Sequence, residues 1–143
     1  MIFVKRPSDF HGKHRIVSCL LENNGEILLL LRQDNKPQGN TWCVVGGKVD
    51  DGEDIWQAIT REIGQETNIF LEKRMLKYVR EVYVRYADFD FIYHMFKADL
   101  KTRPKVVLNN AEHRDFVWVS PEASLKMPLI QDQDACIKLV YSL

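Results

Sequence analysis

Two rhythms run through the hydrophobic and polar positions of this chain, one of period two and one of period 3.6, and their boundaries divide it into elements. Residues 27–31 are all apolar between Glu26 and Arg32, which predicts a strand over 26–32 covered on both faces. Residues 15–21 predict a strand before it, and Asn24-Gly25 between the two is a hairpin signal. Residues 41–45 read as a short strand feeding Gly46 and Gly47, which permit a tight turn and close approach to a ligand. From 75 to 86 the chain alternates, with Leu76, Tyr78, Arg80, Val82, Val84 and Tyr86 assigned to one side. Residues 89–100 follow after Ala87-Asp88 as the second arm of a long hairpin. The aromatic residues of these arms suit strand packing and carry no base-stacking code, and His94 reads as a core or edge histidine. A last strand covers 116–119. Helical spacing appears over 54–67, where Ile55, Ala58, Ile59 and Ile63 share one face, and again over 132–141. Ser120-Pro121 supplies a helix start. Residues 1–14, 34–40, 101–104 and 109–115 read as lead-in and loops, with His11 and His14 taken as solvated and not as a metal pair. The order predicts an α/β (α+β) fold, a mixed sheet with helices on both faces, in a single domain spanning 1–143.

Composition narrows the function without naming one. The 143 residues suit one core. Twenty basic and twenty acidic side chains cancel, which argues against a nucleic-acid polymer as partner and leaves a small anion to be handled by local charges. Cys19, Cys43 and Cys136 form no CxxC pair and sit in apolar segments, so reduced, buried thiols are expected. No apolar run reaches signal-peptide or membrane-spanning length, and a cytoplasmic location without membrane contact is the expectation. The sequence leaves monomer and homodimer equally open.

The sharpest anomaly lies at the end of the 54–67 helix. At about 100° per residue, Glu62 and Glu66 fall within the apolar arc, with Gln65 at its edge. Like charges four apart repel by about 0.2–0.5 kcal/mol, and the helix C-terminus disfavours anions by about 0.3–1 kcal/mol more. Partial burial of an unpaired carboxylate adds several kcal/mol in effective desolvation. A positive partner offsets such costs, and a divalent cation is the simplest one.

The wider spacing is Gly47-x5-Glu53-x7-Arg61-Glu62-Ile63-x-Gln65-Glu66-x-Asn68-Ile69, and it resembles the box of the Nudix (MutT-like) hydrolases. Gln65 stands where that family has the first glutamate of a pair, Asn68 where it has glycine, and Val45 where it usually has proline. The resemblance implies a Nudix-like α/β/α sandwich and hydrolysis of a nucleoside diphosphate linked to another moiety, with Mg²⁺ or Mn²⁺ as cofactor. It implies metal ligation by the Gly46 carbonyl, Glu62, Gln65, Glu66 and Glu112, and a structural brace between Glu53 and Arg61. Glu62, Glu66 and Glu112 form the catalytic set, and either Glu62 or Glu112 accepts the proton of the attacking water. Arg32 is placed on the substrate phosphates, with Lys48 a second substrate cation and Trp42 either stacking on a base or packing. His113 is a lesser candidate in the Glu112 loop. Two alternatives stay open: a weakly active nucleotide-binding module, because Gln65 removes a charge, and a nucleotide-sugar hydrolase, suggested by residues 36–42 and Glu112-His113.

Overall fold

Hydrophobic burial in this chain is organised by one strand, β2 (His14–Asn23), whose side chains alternate between two apolar layers. The computed structural model describes residues 1–87 and 89–143. Val17, Cys19 and Leu21 point to the layer under α1 (Ile55–Thr67), while Leu20 points to the opposite layer, under α3 (Gln133–Tyr141). The same division holds in β3 (Glu26–Arg32), where Leu28 and Leu30 join the first layer and Ile27 and Leu29 the second. Both faces are covered, which is why β3 contains an unbroken apolar run.

The sheet is mixed. β2 runs parallel to β7 (Asp90–Asp99), from His14 opposite Phe91 to Glu22 opposite Asp99. β7 pairs antiparallel with β6 (Lys77–Arg85), and β1 (Ile2–Phe3) closes that edge. On its other side β2 meets β3 at the Asn24-Gly25 hairpin, where both turn residues have positive φ, 54° and 76°. Beyond β3 lie β4 (Trp42–Cys43) and β8 (His113–Val119), while β5 (Val45–Lys48) pairs with β2. A four-residue helix, α2 (Pro121–Ser124), starts at Ser120, whose hydroxyl accepts from the Ala123 N–H.

Four expectations need correction. Residues 41–45 are not one strand: the chain leaves β3 after Cys43 and joins β2 at Val45. Gly46 and Gly47 therefore lie in extended backbone inside β5 and make no tight turn. Their missing side chains serve close packing, since a Cβ on Gly46 would run into the Val17 carbonyl and one on Gly47 into the Glu62 carboxylate. The even alternation expected over 75–86 fails at a bulge between Tyr78 and Arg80, which puts Leu76 and Tyr78 in the α1 layer and Val82 and Val84 in the other. The lead-in is also structured: β1 adds to the sheet, and Phe10 is buried edge-on against Tyr83. In the Ala87-Asp88 turn, Asp88 lies outside the described residues; on either side of it the Tyr86 N–H donates to the Phe89 carbonyl at 3.1 Å. The three cysteines are buried free thiols. Among the described residues no helix is long and apolar enough to cross a membrane.

Candidate active site

Helix α1 carries the acids and is fixed at both ends. Asp54 accepts from the Gln57 N–H while the Gln57 side chain accepts from the Asp54 N–H, a reciprocal cap that sets the helix start. At the other end Asn68 adopts left-handed backbone, φ 59° and ψ 27°, and its N–H donates to the Gly64 carbonyl. This is the position where the resembled box has glycine, and asparagine is among the few residues with a Cβ that enter this region readily.

Arg61 organises the approach to the site. Its Nε and Nη2 fork onto the Glu53 carboxylate at 2.8 and 3.0 Å, and Nη2 also donates to the Lys48 carbonyl at 2.9 Å. Its Nη1 donates to Glu62 Oε1 at 2.8 Å and to Gln65 Oε1 at 3.1 Å. The guanidinium beside Glu53 holds that carboxyl below its usual range. One planar cation thus ties β5, the loop after it and α1 together.

The two inward acids behave differently. Glu62 is 13% exposed and lies over Gly47; burial raises its pKa while Arg61 opposes the shift. Glu66 accepts from the Gly46 N–H at 3.3 Å. Burial first, then the Glu62 charge, pushes its carboxyl up to about 8, with the Gly46 N–H and Arg32 opposing and Glu112 adding to the rise. Glu112 itself pairs with Lys36 at 3.1 Å. Gln65 is exposed, and its amide oxygen shares Arg61 Nη1 with Glu62.

These groups suit a hard divalent cation by their chemistry. The donors are carboxylate and carbonyl oxygens, and the Glu66 carboxyl is left under-compensated by the positive groups around it. As placed, Arg61 engages Glu62 and Lys36 engages Glu112, and among the described residues no three acidic, imidazole or thiol groups are gathered around one point.

Beside the acids opens a cavity of about 250 Å³. Arg32, Gly46, Gly47, Lys48 and Glu66 line one part of it; Tyr86, Phe89, Phe91 and Tyr93 line another. Arg32 donates from Nε to the Pro37 carbonyl at 2.9 Å. A register shift where β3 meets β8 puts His113 opposite Arg32. His113 is buried in the same wall, its Nε2 3.6 Å from Cys43 Sγ and its Nδ1 without a partner. Burial, and then the charge of Arg32, lowers its pKa to about 4. Trp42 packs with Leu20, Ile27, Leu29 and Val44 and is not among the residues that line the cavity. Sequence reasoning passed over Gln38, Asp132 and Gln133, which also line the cavity; their one signal is the turn chemistry around 37–40 and 131–133. The aromatic residues of the two arms, expected to serve strand packing, also line the cavity through Tyr86, Phe89, Phe91 and Tyr93.

Known proteins resemble this chain in sequence and in fold. The family model described as "NUDIX domain" matches residues 12–140. The chain is 33% identical over 120 residues to the CTP pyrophosphohydrolase of Escherichia coli K12, covering 80% of this chain and 81% of that protein. It is 29% identical over 128 residues to the nucleoside triphosphatase NudI of Escherichia fergusonii, covering 77% and 84%. Among solved structures, a MutT protein from Methanosarcina mazei Go1 superposes with a TM-score of 0.79 at 26% identity, over 90% of this chain and 93% of that one.

Proposed function

Since the chain belongs to the NUDIX family, we propose that it is a divalent-cation-dependent hydrolase that cleaves a phosphoanhydride bond of a nucleoside triphosphate, or of another nucleoside diphosphate linked to a further group. The relatives named CTP pyrophosphohydrolase and nucleoside triphosphatase support this substrate class. The observation that carries the reading is the geometry of α1, which turns Glu62 and Glu66 inward onto Gly47 and the Gly46 N–H, with burial and then the Glu62 charge pushing the Glu66 carboxyl up to about 8.

The Gly46 carbonyl, Glu62, Glu66 and Glu112 would hold Mg²⁺ or Mn²⁺, which when bound neutralises the diphosphate and acidifies the attacking water. Arg32 and Lys48, in the cavity wall next to Glu66, bind the phosphate oxygens and orient the chain of phosphates. The attack is in line at phosphorus, where positioning and charge supply most of the acceleration. The proton of the water passes to a carboxylate oxygen of Glu62, steadied as an anion by Arg61 Nη1, or to one of Glu112, paired with Lys36. Arg61 and Glu53 hold β5 against α1 and so fix Gly46 relative to Glu66.

Gln65 is exposed and bonded to Arg61, and the relatives named as hydrolases favour an active enzyme over a binding module. The test is release of phosphate or pyrophosphate from a panel of nucleotides with Mg²⁺ and Mn²⁺, for the unaltered chain and for Gln65→Glu. Expected are clear release by the unaltered chain and a change of less than about threefold in the variant, a difference below the tenfold that 1.4 kcal/mol would give. Reaction in ¹⁸O water should label a phosphate product; label on a sugar would overturn attack at phosphorus.

A further inference from the structure

Two loops are stapled together beside the site, and an ion pair sits in the seam. One loop, residues 33–40, follows β3; the other, residues 109–112, leads into β8. The Gln33 N–H donates to the Glu112 carbonyl at 3.0 Å, and Gln33 Nε2 donates to the Asn110 carbonyl at 2.7 Å. Within the second loop the Glu112 and His113 N–H groups both donate to the Asn109 carbonyl at 3.0 Å. The Asn109 side chain accepts from the Ala111 N–H at 3.2 Å. Glu112 is thus fixed through both its N–H and its carbonyl, and the freedom left to it is that of its side chain.

That side chain ends on Lys36, whose Nζ donates to Glu112 Oε1 at 3.1 Å. The pair is loosely held. Its separation exceeds the roughly 2.7–2.9 Å common for an ammonium on a carboxylate. The two side chains are 30% and 41% exposed, and among the described residues Nζ has no other hydrogen bond or ion pair. Arg61 offers the contrast. Its guanidinium is spread over Glu53, Glu62, Gln65 and the Lys48 carbonyl, so it cannot leave Glu62 without dismantling the brace between β5 and α1. Lys36 leaves Glu112 by turning its own flexible stem. Glu112 is also close enough to act on the buried acids: its charge adds to the rise of the Glu66 carboxyl, and the adjacent His113 lines the same cavity as Glu66 and Arg32.

Resting on the reading of Glu112 as a ligand of the divalent cation, we propose that Lys36 is a positioning residue that acts through Glu112. It is a tethered counter-ion that the carboxylate gives up on turning to the cation, so competition between the two sets the cation affinity of the site. The backbone bonds already place the loop, and the lysine is not needed to hold it there. Its grip on the carboxylate therefore lowers the fraction of Glu112 that is free to ligate, and the apparent affinity falls by that fraction.

Calorimetric titration with Mn²⁺ alone compares the unaltered chain with Lys36→Met, Lys36→Arg, Glu112→Gln and the Lys36→Met, Glu112→Gln pair. Lys36→Met keeps the apolar stem and removes the charge; it is expected to tighten Mn²⁺ binding by about two- to fivefold, the effect of releasing an exposed ion pair. Lys36→Arg keeps a cation on the stem and should leave the affinity within about twofold of the unaltered chain. Glu112→Gln should weaken binding, and adding Lys36→Met to it should change the affinity by less than about 1.5-fold, because the competitor has nothing left to hold. A lysine that merely supports the loop would weaken binding when lost. One acting by long-range repulsion would tighten it equally with and without Glu112. Either result overturns the competition, as does unchanged affinity in Lys36→Met or in Glu112→Gln, and all of these leave the cation-dependent hydrolase standing. Failure of Mn²⁺ to bind the unaltered chain overturns that reading and this inference with it.

Discussion

Glu66 is a carboxyl held against its own preference. Its pKa in the folded chain rises from 4.5 to about 8 through burial and the Glu62 charge, whereas the unfolded chain returns it to the ordinary value. Between those two values the folded state binds more protons than the unfolded state, so stability falls as pH rises through that interval. Glu62, also raised by burial, acts in the same sense. The metal-free protein should therefore lose Tm between about pH 5 and about pH 8, and Glu66→Gln should remove much of that slope while lowering hydrolysis. Thermal melts across pH check this; a variant with the same slope as the unaltered chain would show that the stored cost lies elsewhere. The inward turn of Glu62 and Glu66 was legible in the helical spacing alone. What Gln65 does was not, because its bond to Arg61 one turn earlier is a matter of side-chain geometry that helical spacing does not fix.

Helix α1 ends where it does because Asn68 can enter left-handed backbone and cap Gly64. Asn68→Gly should be neutral within a few tenths of a kcal/mol, whereas Asn68→Val should cost about 1–2 kcal/mol, since a branched Cβ crowds the carbonyl there. Equal unfolding free energies for the two variants in urea titrations would contradict the cap. Most elements could be read from periodicity: β3 over its full length, α1 to within its cap, and the Asn24-Gly25 hairpin with both residues at positive φ. The misreadings share one cause. A bulge in β6 and the change of partner strand at Val45 both depend on what lies alongside, and a single sequence carries no record of register.

The cavity belongs to the molecule as a whole. β5 supplies the glycine pair, β7 Phe91 and Tyr93, the start of α3 Gln133, and the loop before β4 Gln38. These segments are far apart in sequence and meet only because β2 pairs with β5 on one side and β7 on the other. Glu62 and Glu66 could be found from spacing because they share one helix; the cavity could not, because no short stretch contains it. Zero net charge fits this division, as the anionic substrate is met by a few placed cations and not by a charged surface.

The account turns on whether α1 turns its carboxylates inward to hold a doubly charged ion. Calorimetric titration of Mn²⁺ into the chain, alone and with a non-hydrolysable nucleoside triphosphate, tests this for the unaltered protein, Glu66→Gln and the Glu62→Gln, Glu66→Gln double variant. The account predicts saturable binding by the unaltered chain, weakened about tenfold or more in the single variant and abolished in the double one, in proteins that still melt cooperatively. Mn²⁺ affinity that stays the same after both carboxylates are replaced would contradict it.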